Sequence, residues 1–180
     1  MNVNKKKVIN WDLVRDKMIK DTADEISKTL GVPITLDIFE DDKIPEVPAD
    51  CGGFVVCIIT KEGEFYIDHI FLRRQSKEKM AYTLAHELGH IKDFVKLKAQ
   101  DLIDVTLFER SGVSKLSLHG RRVVWESEKR AFSEGLTLLQ KAGVVHNYYL
   151  QRFLQFRRDS LVWLTLALFN EKKKRKKKLV

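Results

Sequence analysis

The chain has 180 residues, of which 44% are hydrophobic and 32% charged, a composition that supports one sizeable core and excludes a disordered chain. Its two cysteines, Cys51 and Cys57, exclude a disulfide framework and a paired-cysteine metal site, and fit a reducing, cytoplasmic setting. The net charge of +8 is concentrated at 172–178, seven consecutive basic residues opening with Lys172 and closing with Lys178; without them the 33 basic residues fall to 26 against 25 acidic ones, so the body is nearly neutral and offers no basic nucleic-acid-binding face.

The first ten residues are polar and lysine-rich, unlike a secretory leader. Residues 11–30 follow with Trp11, Val14, Met18, Ile19, Ala23, Ile26 and Leu30 near one side, which predicts an amphipathic helix stopped by Gly31-Val32-Pro33. Residues 34–39 are rich in β-branched side chains and predict a strand, and 40–53 read as an acidic loop. Residues 54–60 and 64–72 flank Lys61-Glu62-Gly63 and predict a β-hairpin, so the three strands are expected to form a small antiparallel sheet. Were the second hairpin strand an edge, it could accept an extended peptide by strand addition.

Residues 77–98 contain no proline and a single glycine, follow the N-cap candidate Ser76, and predict a helix. Leu84, Leu88, Ile91 and Val95 make one apolar stripe, and Tyr82, His86, His90 and Phe94 make a second face at spacing four. Residues 97–120 read as irregular, with turn signals at Ser111-Gly112 and His119-Gly120, and could form a wall or lid. A further helix is expected over 121–142, stopped at Gly143, and one or two C-terminal helices over 145–170. The longest apolar run, 161–169, would span about 14 Å as a helix, against a hydrocarbon core of about 30 Å. No transmembrane segment is therefore expected.

The chemistry lies in His86-Glu87-Leu88-Gly89-His90. Residues four apart share a helix face, so both imidazoles can reach one ion through bonds of about 2.0–2.1 Å. Glu87 sits about 100° round the helix, a place suited to a general base rather than a ligand. A third ligand is sought on the later helix, where Val124, Glu128, Ala131, Phe132, Gly135, Leu136 and Leu139 recur at spacings of three and four. A carboxylate on an apolar stripe needs a partner, and a cation is one, which selects Glu128. Glu134, read as solvated, and His119, read as lying in a loop, are the rivals. The pattern H-E-x-x-H-x-x-G-x-x-H is absent, because Asp93 and Lys96 stand where its glycine and histidine would be.

With Glu126-Ser127-Glu128-Lys129-Arg130-Ala131-Phe132-Ser133-Glu134-Gly135-Leu136 on the later helix, the chain resembles the ImmA/IrrE-type zinc metallopeptidases, whose signature is H-E-[LI]-G-H followed by E-x-E-A-x-x-F-A-x-x-L. The resemblance covers about 54–139 and departs from the pattern at Lys129 and Ser133. It places the family's glutamate ligand on Glu128. With it the chain is expected to be a zincin-like domain over 1–170, followed by the basic tail 171–180 that the charge run marks; members of the family often cleave transcriptional repressors, so a cytosolic regulatory protein of that kind is the expected substrate.

The expected fold class is thus α+β, a small sheet packed on a helical core with C-terminal helices. The expected activity is that of a zinc endopeptidase, with Zn2+ on His86, His90 and Glu128 and Glu87 as base. His69, His119, Tyr148 and Tyr149 are oxyanion-stabiliser candidates, and Asp93 could orient a ligand imidazole. The competing expectation is a catalytically silent zinc domain; with either, the run from Lys172 to Lys178 could contact nucleic acid or an anionic membrane.

Overall fold

A computed structural model describes residues 9–41, 52–59, 65–111 and 115–169. The fold is α+β, with helices α1 (Trp11–Leu30), α2 (Lys77–Phe94), α3 (Ala99–Ser111), α4 (Leu118–Lys141) and α5 (Asn147–Phe169) and strands β1 (Ile38–Asp41), β2 (Gly53–Ile59) and β3 (Phe65–Arg73).

Local chemistry sets several of these bounds. The Asn10 side chain accepts from the Leu13 N–H at the start of α1, and Gly31 ends it at φ 72°, a left-handed conformation glycine adopts without a Cβ clash. Ser76 caps α2 by accepting from the Lys79 N–H. Gly143, at φ 96°, lies one residue beyond the Ala142 cap of α4.

The sheet corrects the antiparallel expectation. Its order is β1-β3-β2; β2 pairs antiparallel with β3, but β1 pairs with β3 in parallel, Ile38 opposite Ile70. β1 and β2 lie on opposite sides of β3, so no hairpin joins them, and strand composition alone carries no directional signal. β3 is the central strand, hence not an edge for an added peptide; β1 and β2 are the outer strands. The hairpin connection 60–64 and the acidic loop 42–51 fall outside the described residues, as does the basic run 172–178.

Two helices differ from expectation. Residues 99–111 form α3 instead of irregular chain, with Leu102 and Val105 buried in a second core cluster alongside Phe94, Leu116, Val124, Leu164 and Leu168. α4 begins at Leu118, capped by Ser117, so His119 and Gly120 lie within its first turn. A Cβ on Gly120 would come within 3.0 Å of the Asp104 carboxylate, so this glycine serves helix packing where a turn was expected.

α2 is the centre of the fold. Every residue from 80 to 94 is buried, wrapped by α1, α4 and the sheet. Its apolar side chains join Val14, Met18 and Ile26 of α1, Ile70 and Leu72 of β3 and Phe132, Leu138 and Leu139 of α4 in the main core. Burying a whole helix also buries its polar residues, each of which then needs a partner. Lys92 finds Glu134 of α4 at 2.7 Å and Glu25 of α1 at 3.0 Å. Burial disfavours its ammonium, but the two carboxylates outweigh burial and raise its pKa. Glu134, read from sequence as solvated, is thus an ion-pair partner of a buried lysine.

No helix among the described residues is long and apolar enough to cross a membrane.

Candidate metal centre

α2 and α4 cross at van der Waals distance through reciprocal small residues. A Cβ on Gly89 would sit 2.1 Å from the Ala131 carbonyl oxygen, and a Cβ on Gly135 would sit 2.7 Å from the Ala85 carbonyl oxygen. Ala85 and Gly89 on α2 thus face Ala131 and Gly135 on α4, each pair four residues apart. This contact sets α4 close enough for a short carboxylate one turn before Phe132 to reach the imidazoles of α2.

That carboxylate is Glu128. His86 Nε2 lies 3.1 Å from His90 Nε2, 3.3 Å from Glu128 Oε2, and His90 Nε2 lies 3.4 Å from Glu128 Oε1. Tetrahedral bonds of about 2.0–2.1 Å hold donor atoms about 3.3 Å apart, which is close to each of these separations, although the two nitrogens face different oxygens of the carboxylate. Among the described residues, His86, His90 and Glu128 form a group able to hold a metal ion. Two imidazole nitrogens and one carboxylate oxygen suit a borderline transition-metal ion better than calcium or magnesium, which favour all-oxygen sites.

The surroundings fix the donors. The His86 ring stacks on Phe132 with centroids 3.9 Å apart at 26°, and the His90 ring tilts against Phe94 at 5.4 Å. His86 Nδ1 is buried with no hydrogen-bond partner among the described residues, so the Phe132 ring, rather than a polar acceptor, holds that imidazole in orientation. Asp93 does not take the role of orienting an imidazole. Its Oδ2 accepts from Ser127 Oγ at 2.7 Å and its carboxylate accepts a two-point contact from Arg130, at 2.5 and 3.1 Å. Ser127 and Arg130 flank Glu128 on α4, so Asp93 locks the segment that presents the third donor.

Glu128 is less enclosed than its stripe implied. Ser127 is the fully buried member, whereas the Glu128 side chain keeps 21% of its exposure. The donor set therefore lies at the rim of the α2–α4 contact, within reach of solvent. Glu87, which follows His86, is itself buried at 6% exposure.

Comparison with protein-family models, curated proteins and solved structures finds no match for this chain. The assignment of the centre rests on its own geometry.

The other sequence candidates stand elsewhere. His119 is exposed on α4, beside Asp101 at 3.5 Å. His69 is held by Asp68 at 2.8 Å and packs edge-on against Phe39 and Phe71. Tyr149 packs edge-on against Trp11, and Tyr148 lies beside Arg152. Tyr82 continues the histidine face of α2, but its hydroxyl lies 2.9 Å from Glu78 and 3.0 Å from the Tyr149 carbonyl, and burial together with Glu78 pushes the phenol pKa up. Sequence reasoning placed Gly135 on the apolar stripe of α4 but missed its close packing on α2, and it missed the Asp93–Ser127–Arg130 lock. The small-residue spacing of Ala85 and Gly89 against Ala131 and Gly135 was the available signal for the first.

Burial, with His90 adding to it, holds the His86 imidazole below its ordinary value. Burial pushes the Glu128 carboxyl up, but the adjacent imidazoles of His90 and His86 outweigh it and hold the group well below the usual carboxylate range. At neutral pH the imidazole is thus neutral and the carboxylate ionised, the forms that bind a metal. Both folded pKa values lie below the unfolded ones, so the folded, metal-ready state binds fewer protons and weakens as pH falls. Bound metal should be held as pH drops to about 6.5, the ordinary histidine value, and released only below it, because both donors take up protons at lower pH than their unfolded counterparts. Titration with a metallochromic dye checks this; release above that pH would contradict it.

Proposed function

We propose that this chain is a zinc-dependent endopeptidase in which His86, His90 and Glu128 hold the ion and Glu87 is the general base. The observation that carries the reading is the donor group, two imidazole nitrogens 3.1 Å apart with one oxygen of the Glu128 carboxylate 3.3 Å from His86 and the other 3.4 Å from His90, drawn from two helices, with the buried Glu87 next to His86 in the chain and not one of its members. A carboxylate next to the donors in the chain but not among them can serve as a proton acceptor, which a purely structural site does not need. This favours hydrolysis over the silent zinc domain.

Zinc in this donor set would supply a Lewis acid that brings the pKa of a water down to about 7 and polarises a carbonyl oxygen. The chain's own residues do the rest. His86 and His90, oriented by Phe132 and Phe94, offer their Nε2 lone pairs. Glu128, anchored through its neighbours to Asp93, supplies the one negative charge of the donor set. Glu87 accepts a proton from the attacking water and gives it to the departing amine, so that one peptide C–N bond breaks and one water is consumed.

The resemblance to the ImmA/IrrE-type metallopeptidases supports the same reading and extends it to a cytosolic regulatory protein, such as a transcriptional repressor, as substrate. The test is cleavage of an internally quenched peptide library by the zinc-loaded protein. A strong chelator should abolish turnover and stoichiometric zinc should restore it; turnover that persists in the metal-free protein would overturn the proposal.

A further inference from the structure

The last two turns of α5 carry an apolar face that no described residue covers. Leu164 and Leu168 turn inward and are buried, whereas Val162, Trp163, Leu166 and Phe169 are 55%, 61%, 53% and 40% exposed. Positions 162, 163, 166 and 169 fall on one side of a helix. One and two turns earlier the same side is polar and exposed, with Gln155, Arg158 and Asp159. The apolar character therefore begins at Val162 and runs to the helix end. A shallow groove of about 350 Å³, walled by Arg158, Leu161, Val162, Thr165 and Leu166, adjoins it. Single exposed apolar side chains are ordinary, but four adjoining ones at one helix end make a patch.

Charge selects the occupant. Three residues after Phe169 the sequence enters the seven consecutive cations at 172–178, while the rest of the chain is close to neutral. Nucleic acid would satisfy those cations but leave Val162 and Leu166 in water. A second copy of the chain would cover the apolar face but bring two sevenfold-positive segments together. An anionic lipid surface accepts both features, since Trp163 and Leu166 can enter the headgroup boundary while the lysines meet lipid phosphates and carboxylates.

We propose that the exposed face of the C-terminal half of α5, together with the basic run that follows it, docks the protein on anionic lipid membranes. The inference is independent of the peptidase reading. Such docking keeps the protein at one surface, and it is reversible by salt.

Flotation of the full chain with vesicles of phosphatidylcholine, alone or mixed with phosphatidylserine, tests it. Binding is expected only to the mixed vesicles, and it should weaken with salt and fall about fivefold for each basic residue neutralised. The double variant Trp163→Ser/Leu166→Ser alters exposed side chains and should keep the thermal melt and zinc content of the parent while losing about tenfold or more in vesicle binding. Equal binding to neutral vesicles, or full binding by the double variant, would overturn the proposal. So would self-association abolished by the double variant, or nucleic-acid binding without vesicle binding.

Discussion

Glu87→Gln should leave zinc content and thermal stability close to those of the parent while lowering peptide turnover by about 10²–10⁴-fold, the range for loss of a positioned general base. Glutamine has the same shape and removes only the ability to take a proton, so an effect of that size with metal retained assigns proton transfer to this side chain. The expectation follows from placement. Glu87 is buried on the fully enclosed helix α2, next to His86, and is not among the three donors that face one another. Loss of turnover together with loss of zinc would instead make Glu87 part of the binding set. Unchanged turnover would leave the silent zinc domain as the better account.

Gly89→Val is expected to have the second large effect, without touching a ligand. The added Cβ would lie 2.1 Å from a backbone oxygen, that of Ala131, which no side-chain rotation can relieve. The two helices must part, and Glu128 moves away from the imidazoles with α4. Overpacking of this kind costs about 3 kcal/mol or more. For a chain of this size that lowers the melting temperature by about 6–12 °C. Zinc affinity should fall in parallel although all three donors remain. Gly135→Ala, where the contact would be 2.7 Å to the Ala85 carbonyl oxygen, should act in the same direction and less strongly. Differential scanning calorimetry with and without zinc measures both; a Gly89→Val protein with parental melting temperature and affinity would show that the helices do not cross this closely.

Much of the site was legible because it is written in a helical period. His86 and His90 needed only the four-residue spacing, and the aromatic face they share with Tyr82 and Phe94 foretold burial, which the structure extends to the whole of 80–94. Glu128 was chosen for lying on an apolar stripe, although Ser127 is the fully buried residue and Glu128 stands at its edge. Either position brings the side chain to the α2 side of α4, which is why Glu128 still stands beside the two imidazoles.

What the period could not supply is pairing between distant segments. Lys92 draws its carboxylates from Glu25 and Glu134, and Asp93 draws Ser127 and Arg130 from a helix more than thirty residues on. The parallel pairing of β1 with β3 is likewise invisible in strand composition: of the strand expected over 34–39 only Ile38 and Phe39 lie in β1, which runs on to Asp41, and nothing in those residues sets a direction. α3 escaped notice because Ile103, Val105 and Thr106 weaken helix propensity. Its buried pair Leu102 and Val105 gains meaning only against Phe94, Leu164 and Leu168.

The most direct test is X-ray absorption at the zinc edge, with metal analysis, on the purified protein and on Glu128→Ala. One zinc per chain, bound by two imidazole nitrogens and oxygen donors, with affinity falling steeply when Glu128 is removed, is the predicted result. No zinc uptake, or an absorption spectrum and affinity unaltered by Glu128→Ala, would contradict a centre built from both helices.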